Sequence, residues 1–354
     1  MHMADALLSP AVGGTLWAAS AGTIAHCSAK VRKDLDDRKV PLMGVLGAFL
    51  FAAQMINFSI PGTGSSGHLG GGLLLAILLG PHAAFLAIAS VLVVQALFFA
   101  DGGLLALGCN IFNLGFLPTF VAYPFLYRKI AGVRPEPARV AIAATVAAVA
   151  GLQMGAFAVV LETVASGISS LPFPAFAALM QPIHFAIGIV EGLATAAVVS
   201  FVYKARPEMA QGAAEARPVA GHPLRNVLLA FLAAAVLTGG VVSWFASGDP
   251  DGLEWSIANV AGKGEPDRRE HAVHRALALL QGKIAVLPDY SFRKPAQREN
   301  EGAPLREDPA REGEANREGD GKLGTSVSGI VGATITLALV FLAGFLLKRR
   351  SRAA

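Results

Sequence analysis

The sequence predicts an all-α polytopic membrane protein: a bundle of about seven transmembrane helices, then a two-helix accessory module with an extracytoplasmic segment. Three observations carry that prediction. Only 15% of the 354 residues are charged and mean hydropathy is +0.54, whereas an average soluble domain has ~25% charged residues. Apolar stretches of about 20 residues, the length that crosses a bilayer, recur along most of the chain. The Lys and Arg residues cluster between them. So few charges cannot cover the surface of an ordinary soluble enzyme. Cys27 and Cys109 both lie inside apolar runs, which excludes a disulfide scaffold.

In chain order the apolar spans read as 11–29, 40–59, 69–80, 82–100, 104–127, 140–166, 174–203, 224–246 and 324–347. Of the 29 Lys and Arg, five lie in 30–39, four in 128–139, four in 204–225 and four in the tail from Lys348; twelve lie in 247–323. Positive residues concentrate in short cytoplasmic loops. Nine crossings, with the N-terminus outside and the C-terminus in the cytoplasm, put all four short clusters on one side. Splitting 69–100 into two spans is essential to that parity. Gly80-Pro81 supplies the break, because proline cannot continue a hydrogen-bonded helix and restricts its predecessor. Segment 69–80 is short for a span, so the glycine-rich run 61–72 is expected to dip into the protein, where irregular backbone must be buried or line a cavity. No basic region precedes the first apolar run, so a cleaved signal peptide is not expected. Met1 is expected to stay, because its removal needs a small second residue.

The main helix bundle is therefore placed at 1–205 and a cytoplasmic Ala/Pro/Gly-rich tether at 206–223. The accessory module occupies 224–354, with an outer segment at 247–323. Within that segment, 295–322 has almost no apolar residues and reads as disordered. The outer segment holds 12 basic and 15 acidic residues.

His2 carries the sharpest chemistry. An α-amine at residue 1, the amide nitrogen of His2 and its imidazole Nδ1 can close a five- and a six-membered ring on one ion, in a plane suited to a d⁸ or d⁹ metal. The alternative is an idle histidine beside a start codon. His68 is the candidate fourth nitrogen, because the topology brings it to the same side and glycines flank it closely. It can equally be a hydrogen-bonded histidine of a membrane-interface loop. Asn57 and Gln54, at the outer end of the second span, can orient the imidazoles or bond between helices. His184 and Glu191, seven apart on one helix, share a face; they can form a proton relay or a buried pair that fixes packing. His26 and His82 are placed at cytoplasmic ends, and Asp101 and Glu162 near solvated outer helix ends. His271 and His274 are placed on a solvated helix face. No phosphate-binding G-x-x-x-x-G-K-[ST] loop occurs, so no bound nucleotide is expected, nor any nucleic acid.

MHMADALLSP at the start, QMINFSIPGTGSSGHLGGGLLLAILLGP (54–81) and QPIHFAIGIVEGLAT (181–195) resemble the CbiM/NikM family. These are substrate-capture components of energy-coupling-factor importers for cobalt and nickel. PDGLEWS (250–256), with its flanking spans, is similar to the PDGLE, or CbiN/NikN-like, domain, here fused as in NikMN or CbiMN proteins. The resemblance implies that Met1 gives its amine, His2 its amide and imidazole nitrogens, and His68 the fourth nitrogen. It also implies a CbiQ/NikQ-like transmembrane coupling protein and CbiO/NikO-like ATPase subunits as partners. The expected cargo is Ni²⁺ or Co²⁺, carried across the inner membrane, with no enzyme activity in this chain itself. Rival readings are a proton-coupled secondary transporter working through His184 and Glu191, and a membrane metal sensor or chaperone. The fused module is expected to rest on the glycine loop and help load metal, without primary ligands. Its removal is expected to leave equilibrium binding largely intact.

Overall fold

The structure, a computed structural model, describes residues 2–33, 39–132, 136–205, 225–261, 271–292 and 314–352, with the backbone alone for 314–320 and 349–352. The helices are α1 (Pro10–Lys33), α2 (Lys39–Gln54), α3 (Gly72–Leu79), α4 (Pro81–Phe98), α5 (Leu107–Ala131), α6 (Pro137–Ser166), α7 (Phe173–Ala205), α8 (Arg225–Gly240), α9 (Gly252–Ala261), α10 (Ala272–Ile284) and α11 (Glu314–Arg352). Among the described residues, α4, α5, α6, α7 and the 321–348 part of α11 are long and apolar enough to cross a membrane; α2 and α8 are shorter apolar helices. Large apolar side chains such as Ile142, Phe157, Phe185, Leu193, Phe201 and Phe345 point outward. Water would penalise such a surface, whereas lipid tails match it.

Local chemistry sets the helix ends. Pro137 opens α6, where its missing N–H costs nothing, and Gly167 closes it in the left-handed region. Gly80, at φ +78°, separates α3 from α4, and Pro81 begins α4. The break expected at this dipeptide is present. α3 has eight residues, about 12 Å of rise, well short of a ~30 Å hydrocarbon core. In α5, Pro118 and Pro124 remove two N–H donors, and Phe112–Tyr127 winds as a wide π-helix.

Three expectations are corrected. The chain is not purely helical: β1 (Phe58–Ile60) and β2 (Ser65–Gly67) form an antiparallel hairpin, Phe58 opposite Gly67, so the span expected at 40–59 ends at Gln54. The run expected to be disordered, 295–322, is helical from Glu314 onward; an apolar helix extends backward through residues with good helix propensity such as Glu, Ala and Arg. The rest of that run, and the linker 206–223, lie outside the described residues.

The accessory helices pack directly on the bundle. α11 runs along α2 and α8. Lipid tails are as apolar as leucine, so this association rests on close packing rather than on escape from water. Gly239 of α8 meets Gly329 of α11 backbone to backbone, Gly332 faces the Phe51 ring, and Gly344 faces Val40. Ser326 Oγ donates to Gly240 O at 2.6 Å and accepts from Trp244 Nε1 at 2.6 Å.

Candidate metal centre

The N-terminal segment, the hairpin, the turn after α4 and the module's residues 242–261 and 271–292 gather at one end of the bundle. Met3 is anchored there: its N–H donates to Asn110 Oδ1 at 2.8 Å, and its carbonyl accepts from Gly103 N at 2.9 Å. Gly102 takes φ +81°, and a Cβ on it would crowd Asn110 and His2. These contacts deliver His2 to the centre.

His68 arrives from the opposite wall, on the loop after β2. The two imidazoles stack with centroids 5.0 Å apart and planes 15° apart. His68 Nδ1 lies 3.1 Å from Leu69 O; a carbonyl only accepts, so the ring proton sits on Nδ1 and Nε2 carries the lone pair. His2 Nδ1 lies 3.2 Å from Asp101 Oδ1, and its buried Nε2 has no hydrogen-bond partner. Burial lowers the pKa of His2, with Asp101 opposing the shift, and burial lowers that of His68 to about 3. Both rings are therefore neutral near pH 7, the form that binds a metal ion. Met1, the expected source of an amine nitrogen, lies outside the described residues. Among the described residues, no three His, Cys, Asp or Glu side chains converge into a metal cage.

The glycine loop holds its shape through buried polar side chains. Glu191 accepts from Gly70 N at 2.8 Å and Gly71 N at 3.0 Å. Gln54 Nε2 donates to Gly70 O at 2.8 Å, and Gln95 Nε2 donates to Gln54 Oε1 at 3.0 Å. Gly71 sits at φ +76° against Leu50, where a side chain would be strained twice over. Gln54 thus grips the loop backbone. Asn57 lines the cavity and gives its carbonyl to Ser247 N at 2.7 Å. His184 donates to Met180 O on its own helix, while Glu191 reaches the loop, so the two serve different segments. The buried His184 Nε2 has no partner and flanks a small void shared with His68 and Gly252.

The module closes over this end. Ser66 N donates to Pro250 O at 2.8 Å, Ser66 Oγ to Asp249 O at 2.8 Å, and Trp255 Nε1 to Thr63 O at 2.9 Å. PDGLE proves to be a helix start. Asp251 Oδ1 accepts from Leu253 N and Glu254 N, each at 2.9 Å, and Glu254 Oε2 accepts from Asp251 N at 3.2 Å. That is a capping box, legible in the D-x-x-E spacing. Above the imidazoles lies a cavity of about 870 Å³ whose lining includes Asp5, Asp101, Asp249, Asp251, Glu254 and Asp289. Sequence reading missed this acidic vestibule, because its members come from four separate segments.

Several placements need correction. Glu162 is buried and accepts from Asn113 Nδ2 at 2.9 Å instead of lying in solvent. Asp101 is held between His2 and Tyr290. His274 is buried: its Nδ1 accepts from His271 N, and its Nε2 contacts Leu8 O at 2.9 Å. In each case a neighbouring segment covers what a single helix would leave exposed. His26 and His82 face each other at 5.7 Å. Cys27 and Cys109 are buried thiols.

Fold and site together define a class: a polytopic helical membrane protein that brings two neutral imidazoles together beneath an acidic vestibule. The chain belongs to the CbiM family, described as the cobalt uptake substrate-specific transmembrane region, which matches residues 2–209; a PDGLE domain matches 225–349. A provisionally named fused nickel transport protein NikMN of Archaeoglobus fulgidus is 32% identical over the full length of both chains. The cobalt transport protein CbiM of Geobacter sulfurreducens is 30% identical over 59% of this chain and 61% of its own. A crystal structure described as a transition metal transporter superposes with a TM-score of 0.52 at 32% identity, over 59% of this chain and 95% of that one.

Proposed function

We propose that this chain is the substrate-capture component of an ATP-driven energy-coupling-factor importer that takes up Ni²⁺ or Co²⁺. It binds the ion at the extracytoplasmic side and delivers it across the inner membrane, with a CbiQ/NikQ-like coupling protein and CbiO/NikO-like ATPases as partners. Charge placement between the apolar spans supports this orientation, with nine crossings and the N-terminus outside. The observation that carries the reading is the stacked His2–His68 pair at the foot of the acidic cavity. Carboxylates at the mouth raise the local concentration of divalent cations. Neutral imidazoles below exchange hydration water for nitrogen ligands, joined by the Met1 amine and the His2 amide. Lys30, Arg32 and Lys33 close α1, Arg128 and Lys129 close α5 and Lys204 closes α7, which supports cytoplasmic ends there.

Inserting one alanine, to give Met-Ala-His, tests the ligand set. It moves the amine out of the five-membered ring while keeping every side chain. Uptake of Ni²⁺ by cells expressing all subunits is expected to fall as far as it does for His2→Ala. Parental uptake by the insertion variant would exclude the amine. Uptake by the purified chain alone in liposomes would favour the proton-coupled secondary transporter; dependence on coexpressed ATPase supports the importer.

A further inference from the structure

Helix α10 of the accessory module reaches the N-terminal segment at two points. His274 Nδ1 accepts from His271 N at 3.2 Å, so the ring proton sits on Nε2, which donates to Leu8 O at 2.9 Å. Gln281 lies seven residues on, two turns along the same face of the helix. Its Nε2 donates to Gly102 O at 2.7 Å and to Ala96 O at 2.9 Å. Carbonyls only accept, so the nitrogen of the amide, not its oxygen, faces them. We propose that Gln281 is a positioning residue for the metal site: by way of the Gly102–Gly103 peptide it fixes Met3, and with it His2, opposite His68. This rests on the reading of His2 as a cargo ligand.

The path runs through one peptide group. Gly102 O and Gly103 N belong to the same planar unit. Its oxygen takes the Gln281 proton, and its nitrogen donates to Met3 O at 2.9 Å. Hydrogen bonds linked through a shared group polarise and strengthen one another. Met3 is held on its other side as well, where its N–H donates to Asn110 Oδ1 at 2.8 Å. That N–H belongs to the His2–Met3 peptide, so the backbone leaving His2 has a fixed plane. Little slack remains between the segments: a Cβ on Gly102 would lie 2.8 Å from Asn110 Nδ2 and 3.4 Å from His2 Cβ, and one on Gly103 would overlap Asp5. Ala96 O is among the last four carbonyls of α4, which the helix itself leaves without a partner. Gln281 supplies its donor.

The ligand set explains why such anchoring matters. The amine, amide and imidazole nitrogens of the first two residues close chelate rings with one another wherever that segment lies. The fourth nitrogen comes from His68, on a separate loop, so only packing between segments sets its distance from the other three. Gln281 acts on that distance.

The test is titration of the purified full-length protein with Ni²⁺ alone, following affinity and the ligand-field absorption of the bound ion. Gln281→Met keeps the length of the side chain and removes its donors. It is expected to weaken binding about three- to tenfold, below the 10- to 100-fold typical of a group that bonds a ligand directly, and to shift the absorption band as the fourth nitrogen moves. Gln281→Asn, one methylene shorter, is expected to lie between Gln281→Met and the parent, and carries the same test if the methionine variant fails to fold. In a His68→Ala background, where the remaining nitrogens need no docking, Gln281→Met is expected to do nothing further. Unchanged affinity and band in Gln281→Met, while His2→Ala abolishes binding, would overturn this inference alone. Weaker binding with an unmoved band, or an equal effect with and without His68, would also overturn it, since general loosening of the fold acts in that way. Binding by His2→Ala equal to that of the parent would instead overturn the capture reading, and this inference with it.

Discussion

His68 sits on a loop, yet burial lowers its pKa to about 3 from 6.5. The consequence for stability has a definite sign. Between those values the unfolded chain takes up a proton on this ring that the folded protein refuses, so unfolding is favoured as pH falls through that window. The stability associated with a neutral His68 is complete above about pH 6.5 and is lost progressively toward pH 3. Thermal melts from pH 7 to pH 4 are expected to drop more steeply for the parent than for His68→Gln, which has no ring to protonate. Parallel curves would show that His68 titrates normally. His68 was legible as a candidate from its glycine surroundings. The neutral rings, and Asp101 beside His2, were not, because each depends on atoms more than 30 residues away in sequence.

At the scale of elements, the glycine loop and α7 are one device. Glu191 lies mid-helix and accepts two backbone N–H groups, from Gly70 and Gly71, that no other element satisfies. Leaving a buried donor unpaired costs about 1–3 kcal/mol. Glu191→Ala is therefore expected to destabilise the protein by about 2–5 kcal/mol in a denaturant titration and to weaken metal binding, since His68 rides on the same loop. Glu191→Gln keeps an acceptor and is expected to retain more of both. Equal stability of the alanine variant and the parent would mean that the loop holds its shape without the carboxylate. The seven-residue spacing to His184 correctly put both side chains on the buried face of α7. It could not show that Glu191 reaches across to the loop while His184 bonds within its own helix.

At the scale of the whole molecule, the module is bound at both of its ends: α11 and α8 pack on α2, and 247–255 extends the hairpin. Gly248 at this junction is exposed and has open space around it. With the proposed nine crossings, Gly248→Cys is expected to react with a membrane-impermeant thiol reagent in intact cells. A cysteine replacing Ala213 in the linker is expected to react only after lysis. The reverse pattern would place His2 and His68 on the cytoplasmic side and defeat capture from outside.

Hydropathy and composition alone determined that this chain lives in a bilayer, and the Gly80-Pro81 dipeptide determined where two of its helices break. Those are properties of consecutive residues, and a membrane imposes them locally. The candidate ligands His2 and His68 were also visible, because their neighbours are unusual in the linear chain. Only the tertiary structure decided that the rings stack, that Glu191 and Gln54 hold the loop, and that the module's Tyr290 reaches the carboxylate beside His2. The acidic vestibule belongs to that second group as well. Each of these contacts joins segments whose separation in sequence carries no periodicity, so they exist only once packing has chosen which buried polar groups satisfy one another.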